Sequence, residues 1–373
     1  MVPHTLEGPA TSRTVIAAPE LLSELPVLRY AGDDPGPTVT LGLVYAWDSR
    51  TGRGNCSFHR ITFKPCSIVV GIDSGGHLQK MIDTHTARGE HLPISVNIGL
   101  DPAIYIASVL TRPGVDYGYD ELGAAGAIRG RSVNVAPCLT GRGRFIDHAE
   151  IVIEGSLGTA REPESPQPQG MSMPEYLGYR SPCGMAAVFE VQALSYRPGA
   201  LYQTLSGPGF EQSALLGLGQ ECSVFAKLMA WQRTDLIRTV VAQPSGGGHL
   251  LTVLQVTKRS ASDDEDVISL AKALLEAVSS LKNLLLVDED VDPHSATEIL
   301  WAMSTRARLD QDIHVTGPLP GNMLDPTQSA GYAPQDCDGF TKKSIIDCTV
   351  PYLQRRRFQR AFELRSAPSL PPV

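Results

Sequence analysis

The chain changes its hydrophobic rhythm near its middle, and a fold must satisfy both halves. From Thr38 it reads Thr38-Val39-Thr40-Leu41-Gly42-Leu43-Val44-Tyr45-Ala46-Trp47, and β-branched and aromatic residues continue from Phe58 to Val70. Short runs of this kind, punctuated by glycine and proline, predict strands. More strands are expected at Ser132–Val135, Ala149–Glu154 and Ala187–Ser195. Gly75-Gly76 should break the chain before a helix over His77–Ala87, which puts His77 in a first helical turn. Between Pro93 and Leu110 a strand should give way to a helix capped by Asp101, with Pro102 at its first position. Many short strands with few inserted helices favour a β-barrel over a doubly wound sheet.

The second half reads differently. Leu236–Gln243 and His249–Thr257 flank the turn Pro244-Ser245-Gly246-Gly247-Gly248 as two strands. Ser262 and Glu265 are spaced as a capping box for an amphipathic helix ending near Lys282. The strand Leu284–Val287 follows, then Ser295 with Glu298 opens a helix through Arg306. The expected organisation is an arm with little structure of its own (1–36), a barrel domain (37–235) closed by a helix over Glu211–Trp231, a compact α+β domain (236–350) and a tail (351–373). Thr159–Gly170, rich in proline, glycine and acids, reads as a mobile surface loop.

Charge and cysteine usage exclude several function classes. A formal net charge of -8 argues against a polyanionic partner, and Arg355-Arg356-Arg357 reads as a solvated helix face. The seven cysteines are scattered, with no C-x-x-C pair, as expected of reduced thiols in a cytoplasmic protein. The first residues lack the basic and apolar regions of a signal peptide, and no apolar run is long enough for a bilayer span. A soluble protein with neither nucleic-acid nor membrane partner is expected.

Familiar catalytic signatures are missing: no P-loop, G-x-G-x-x-G, H-E-x-x-H or G-x-S-x-G occurs. What remains is a dispersed polar set, Asn55, Arg60, His77, Glu121, Glu175 and Lys343. Its amide, imidazole and carboxylate groups suit a divalent ion such as Mn²⁺ or Mg²⁺, and its arginine can fork onto a carboxylate. On a strand, Asn55, Ser57 and His59 would share one face and Cys56, Phe58 and Arg60 the other. Asn55 and Arg60 can then serve one site only if the strand bends or the site wraps its edge. Asp288-Glu289-Asp290 with Asp292 can be read as a metal site or, more cheaply, as an acidic loop leading into a helix.

Several blocks in this order resemble the UbiD-type decarboxylases. They are Asn55-Cys56-Ser57-Phe58-His59-Arg60, His77-Leu78-Gln79-Lys80, Arg88-Gly89-Glu90-His91-Leu92-Pro93, and Glu121 through Gly130. Ala149 through Gly155, Pro174-Glu175-Tyr176-Leu177-Gly178-Tyr179, Asp288 through Asp292, Ile299-Leu300-Trp301-Ala302 with Thr305-Arg306, and Lys343-Ser344-Ile345-Ile346-Asp347 continue the series. The resemblance implies an α+β protein whose split β-barrel, related to flavin reductases, holds prenylated FMN, followed by a smaller α+β domain. It implies non-oxidative, reversible decarboxylation of an aromatic, heteroaromatic or α,β-unsaturated carboxylic acid. By position, Asn55, His77 and Glu121 would ligand Mn²⁺ (or Mg²⁺) on the cofactor phosphate, with K⁺ nearby. Arg60 would face the substrate carboxylate and Glu175 would donate the proton. Ser57, Phe58 and His59 would lie along the cofactor, and Lys343 and Ser108 would contact its phosphate end. A flavin prenyltransferase would supply the cofactor, and relatives assemble as homodimers or larger homo-oligomers.

Two departures from the family pattern carry expectations of their own. Relatives usually have an α/β domain before the barrel, where only the short arm stands here, so the pocket wall or closing motion should be supplied differently. The family motif also has a second glutamate just before the proton donor, and Gly170 occupies that place in Gly170-Met171-Ser172-Met173-Pro174-Glu175. Gln169, Glu164 or Glu162 is expected to substitute, or the site works with a reduced network. The alternatives are a flavin-dependent redox enzyme on the same barrel and a catalytically reduced relative serving as a binding or assembly subunit.

Overall fold

The computed structural model describes residues 1–361 apart from 10, 11, 17–24, 33, 74, 111–119, 166–170, 183, 207, 208, 323 and 329–338. Gln169 and Gly170 thus lie outside the described residues. The chain forms, in order, β1 (His4–Thr5), β2 (Thr14–Ile16), β3 (Thr38–Val39), β4 (Leu43–Asp48), β5 (Arg53–Phe58), β6 (Ile61–Phe63) and β7 (Ile68–Val70). Next come α1 (His77–Thr86), β8 (Leu92–Ile98), α2 (Pro102–Val109), α3 (Glu121–Arg129), β9 (Asn134–Pro137) and β10 (Arg144–Ile146). They are followed by β11 (Ile151–Pro163), β12 (Met171–Pro174), β13 (Arg180–Pro182), β14 (Met185–Tyr196) and α4 (Phe210–Ala230). The rest comprises β15 (Ile237–Ala242), β16 (Leu251–Val256), α5 (Asp263–Ala277), β17 (Asn283–Asp288), α6 (Ala296–Arg306), β18 (Ile313–Pro320), β19 (Phe340–Cys348) and a 3-10 helix, Tyr352–Phe358. Two compact units result, Met1–Gly219 and Gln220–Val373, so the division falls inside α4. None of the described helices is long and apolar enough to cross a membrane.

The first unit is built on a curled nine-stranded sheet ordered β3-β6-β7-β14-β11-β8-β4-β5, with β2 paired to β14. Side-chain alternation gives that sheet two buried faces. Val44, Ala46, Ile94, Val96, Ile151 and Ile153 pack with Leu78, Met81 and Ile82 of α1 on one face. Leu43, Tyr45 and Val152 pack with Ile104 and Leu122 of α2 and α3 on the other. The sheet bends where β11 and β14 slip register at Glu154/Gly155. A Cβ at Gly155 would stand 2.2 Å from the Glu190 carbonyl oxygen, so only glycine permits the bulge.

The expected capping of α2 is found: Asp101 accepts the Ala103 N–H at 2.9 Å, and Pro102 is the first helical residue. The expected loop at Thr159–Gly170 begins later, because β11 continues to Pro163 and Glu164 beyond it is buried. The arm contributes β1, parallel to β9, and β2, antiparallel to β14. Short strands with no hydrophobic face of their own give no periodic signal, so their pairing was not legible beforehand.

The second unit is a five-stranded sheet ordered β15-β16-β17-β19-β18, with β16, β17 and β19 parallel and both edge strands antiparallel. The expected Ser262–Glu265 box is not made. Ser262 offers no side-chain cap, and Asp263 instead accepts the N–H groups of Arg259 and Ser260. The helix stops at Ala277 rather than near Lys282. Ser295 does cap α6, accepting the Glu298 N–H at 3.3 Å.

Candidate active site

β5 ends at Phe58 and the chain turns through His59 and Arg60 into β6, so the strand bends where a shared site requires it. Before the bend, alternation aligns a relay. The Asn55 amide donates to Ser57 Oγ at 3.1 Å, Ser57 Oγ lies 2.9 Å from His59 Nε2, and His59 Nδ1 lies 2.9 Å from the Gly71 carbonyl oxygen. A carbonyl only accepts, so His59 carries its proton on Nδ1 and receives the Ser57 hydroxyl proton on Nε2. Burial lowers the His59 pKa and favours this neutral ring. The relay orients Asn55, whose amide oxygen remains for a ligand.

Two helices begin at expected metal ligands, and both pack beside β5. His77 opens α1 and Glu121 opens α3. Asp120 caps α3 by accepting the Leu122 N–H, which turns Glu121 toward the strand, where its Oε2 accepts the Cys56 N–H at 3.0 Å. Burial pushes the Glu121 carboxyl up to about 7, with the Cys56 N–H opposing and Asp120 adding to the rise. A cation beside it would restore the ionised form. Amide oxygen, imidazole and half-buried carboxyl form a fitting donor set for Mn²⁺ or Mg²⁺. Among the described residues, no group of three or more His, Cys, Asp and Glu side chains is placed to hold a metal, and this set contains only two such residues with an amide.

Beyond the bend, Arg60 is gripped by two carboxylates. Its Nε donates to Glu164 Oε1 at 2.5 Å and its Nη2 to Glu164 Oε2 at 2.7 Å, a bidentate fork, while Nη1 donates to Glu175 Oε1 at 3.0 Å. Glu164 follows β11 and has 3% side-chain exposure, against 23% for Arg60 and 19% for Glu175. Glu175 sits at the tip of the β12–β13 hairpin, where its carbonyl accepts from Gly178 in a turn with φ 80° at that glycine. Burial raises the Glu175 pKa against the pull of Arg60, and Glu164 adds to the rise. Of the three residues expected to substitute for the missing glutamate, Glu164 bonds Arg60, and Gln169 lies outside the described residues. Glu162 instead bonds Lys64 at 3.0 Å and Ser67 at 2.7 Å.

Gly71 belongs to the site without any local mark in the sequence. Its carbonyl holds His59, its N–H donates to the Arg60 carbonyl at 3.1 Å, and a Cβ there would meet Arg60 Cγ and Nε at 3.3 Å. Phe58 stacks at 5.7 Å, tilted, on Tyr105 of α2.

Two expected phosphate contacts are otherwise engaged. Ser108 donates back to the Ile104 carbonyl at 2.8 Å, one turn earlier in α2. Lys343, 1% exposed, spends its three donors on the carbonyls of Leu275, Val278 and Ser279 at 2.9, 3.0 and 3.1 Å, around the C-terminal end of α5. An ammonium with all its protons so used is a helix-end cation with none left for a phosphate. Burial brings its pKa down to about 8.

The acid run after β17 follows its cheaper reading. Arg306 takes Asp290 with both terminal nitrogens, at 2.8 and 2.6 Å, and Asp288 at 2.9 Å.

Residues 5–209 match the UbiD model, described as the 3-octaprenyl-4-hydroxybenzoate carboxy-lyase Rift-related domain, and 220–348 match its C-terminal domain. The chain belongs to the UbiD family. It is 31% identical to gallate decarboxylase of Lactiplantibacillus plantarum over 335 residues, covering 88% of this chain and 68% of that one. It is 31% identical to anhydromevalonate phosphate decarboxylase of Methanothermobacter thermautotrophicus, covering 91% and 75%. Among solved structures, apo 3,4-dihydroxybenzoic acid decarboxylase (AroY) of Klebsiella pneumoniae superposes with a TM-score of 0.88 at 35% identity, covering 99% of this chain and 78% of that one. HmfF of Pelotomaculum thermopropionicum in complex with FMN superposes at 0.83 with 27% identity, covering 99% and 78%. These UbiD-class structures share the mixed α+β architecture seen here.

Proposed function

We propose that this chain is a carboxy-lyase that reversibly removes CO₂, without oxidation, from an aromatic, heteroaromatic or α,β-unsaturated carboxylic acid with the aid of prenylated FMN. The observation that carries the reading is Arg60 held between Glu164 and Glu175, a fixed cation beside a half-buried carboxyl of raised pKa. Family membership and the decarboxylases among its relatives support it. When bound, the modified flavin supplies the electron sink that no amino-acid side chain offers for the carbanion left by CO₂. Asn55, His77 and Glu121 would hold Mn²⁺ or Mg²⁺ against its phosphate, with K⁺ beside them.

The chain's own residues bind, orient and protonate. The Glu164 fork occupies Nε and Nη2 of Arg60 and fixes the guanidinium plane, leaving the Nη1 edge as the exchangeable position. A substrate carboxylate takes that edge from Glu175. Protonation of Glu175 eases the exchange, because three carboxylates around one guanidinium would leave an excess of negative charge in a poorly solvated pocket. The proton then resides on Glu175, placed to pass to the carbon that lost CO₂. A flavin prenyltransferase would supply the cofactor, and the working form would be a homo-oligomer.

The test is co-production with a flavin prenyltransferase, followed by absorption spectra, metal analysis and CO₂ release from 3,4-dihydroxybenzoate, gallate and a panel of unsaturated acids. Bound modified flavin with stoichiometric metal and CO₂ release from one of these acids is expected. Metal-free protein that binds no flavin would overturn the reading.

A further inference from the structure

The second unit has a cavity of its own, about 500 Å³, at the carboxyl ends of its parallel strands. Val256 ends β16, Asp288 ends β17 and Val350 follows β19, and all three line it. The two helices that leave these strands go to opposite faces of the sheet. Leu270 and Leu274 of α5 pack with Leu254, Leu284 and Leu286, whereas Ile299 and Ala302 of α6 pack with Val253, Leu285 and Val287. Between β16 and β17 the chain therefore departs in two directions, which opens a crevice outside the strand ends. In open α/β sheets this switch point is where ligands bind, and the volume lies in the range of small-molecule sites.

The charge lining this crevice runs against that of the chain. Five basic residues, Lys258, Arg306, Arg355, Arg356 and Arg360, face three acids, Asp288, Glu289 and Asp290, in a protein of net charge -8. The cations on the inner side are satisfied: Arg306 by Asp288 and Asp290, Arg360 by Glu298, and Lys258 by Asp264. Arg355 and Arg356, on the 3-10 helix that forms one wall, carry no ion pair among the described residues. The Arg355 guanidinium carbon lies 3.9 Å from the Tyr352 ring centroid. Phe358 and the two valines complete an apolar bed beside the free forks.

We propose that this crevice binds a small phosphate monoester with a planar apolar body, its phosphate on Arg355 and Arg356 and its body along Tyr352 and Phe358. Two uncompensated guanidinia match a dianion better than the single charge of a carboxylate, and arginine forks match phosphate oxygens bidentately. The proposal stands whether or not the decarboxylase reading holds.

The test is calorimetric titration of the full-length, cofactor-loaded Arg60→Gln protein, in which the aromatic-carboxylate site proposed above is disabled, with 1-naphthyl phosphate, 1-naphthoate, 1-naphthol and inorganic phosphate. The phosphate ester should bind at least tenfold tighter than each of the others. An Arg355→Gln, Arg356→Gln double variant should lose at least tenfold of that affinity while keeping its circular dichroism, and Tyr352→Ala should weaken the ester but not inorganic phosphate. Arg60→Gln should bind the ester as the parent does. Equal affinity for the naphthoate, an unaffected double variant, or no binding at millimolar ester would each overturn the proposal.

Discussion

Each unit of the molecule grips an arginine between two carboxylates, and the two grips do different work. Arg306 takes Asp290 in a fork and Asp288 with one nitrogen, as Arg60 takes Glu164 in a fork and Glu175 with one nitrogen. The Arg306 acids lie two residues apart at one strand end, Asp288 also accepts the Val350 N–H, and the guanidinium stacks on Trp301 with 3% exposure. The third point of the Arg60 grip instead stands on the tip of a two-stranded hairpin, and the Arg60 guanidinium is 23% exposed. One constellation is a clamp, and the other has a partner that can let go. Ionic geometry alone does not mark a catalytic site; the support under each carboxylate does.

The comparison breaks most visibly at the exchangeable partner. Glu175→Gln keeps size and hydrogen bonding but cannot deliver a proton, so CO₂ release in the loaded enzyme should fall by about 10³-fold, with cofactor retention and unfolding midpoint unchanged. Retained turnover would remove Glu175 from the acid role. Arg306→Leu should show the reverse pattern. It strands a half-buried Asp288 and an exposed Asp290, and the loss, screened by solvent at Asp290, should be about 2–3 kcal/mol in urea unfolding of the second unit. A cost within error of zero there would mean that the clamp carries no structural load.

The unequal legibility of the two grips has a physical cause. Asp288 and Asp290 are two residues apart in one acidic run at the end of β17, and the run reads as an acidic loop leading into a helix. The barrel, α1, α2 and α6 were legible because β-branched alternation, Asp101 with Pro102, and Ser295 act over a few residues. Glu164 was one of three candidates. Choosing it needs the extension of β11, which arises from pairing with β14 and not from the composition of Thr159–Gly170. Gly71 left no local trace, since its role is set by a side chain eleven positions earlier in the chain. Lys343 was misread for a related reason: burial against a helix end is a tertiary fact, and a conspicuous lysine in a matching block says nothing of it.

Glu164→Gln tests how far the clamp logic extends into the active site. The amide retains one acceptor for Arg60 but gives up the charge and half of the fork, so the guanidinium should tilt toward Glu175. Turnover should drop by about 10- to 100-fold, equivalent to roughly 1.4–2.7 kcal/mol. A merely structural residue would leave the pH profile alone. Here the alkaline limb of kcat should move down in pH, because removal of Glu164's negative charge withdraws one of the causes that raise the Glu175 pKa. Glu164→Asp, which keeps the charge on a shorter stem, should restore the limb more than the rate.

The smallest effect concerns the pH response of the clamp itself. Burial pushes Asp288 up to about 6 from 3.8, against the pull of the Val350 N–H and Arg306. A carboxyl raised in this way binds more protons folded than unfolded between those two values. Its stabilising contribution is therefore full below about 3.8 and lost as pH rises through about 6. Asp288→Asn removes the titration and should flatten that part of the stability profile of the second unit by on the order of 1–2 kcal/mol, since the partly exposed carboxylate is screened by solvent. Urea midpoints at pH 4 and pH 7 measure the difference for parent and variant. The same pair of measurements on Glu175→Gln reads the other grip, where the raised carboxyl should leave its larger signature in turnover rather than stability. Equal pH slopes for Asp288→Asn and its parent would show that the two grips differ less than their supports suggest.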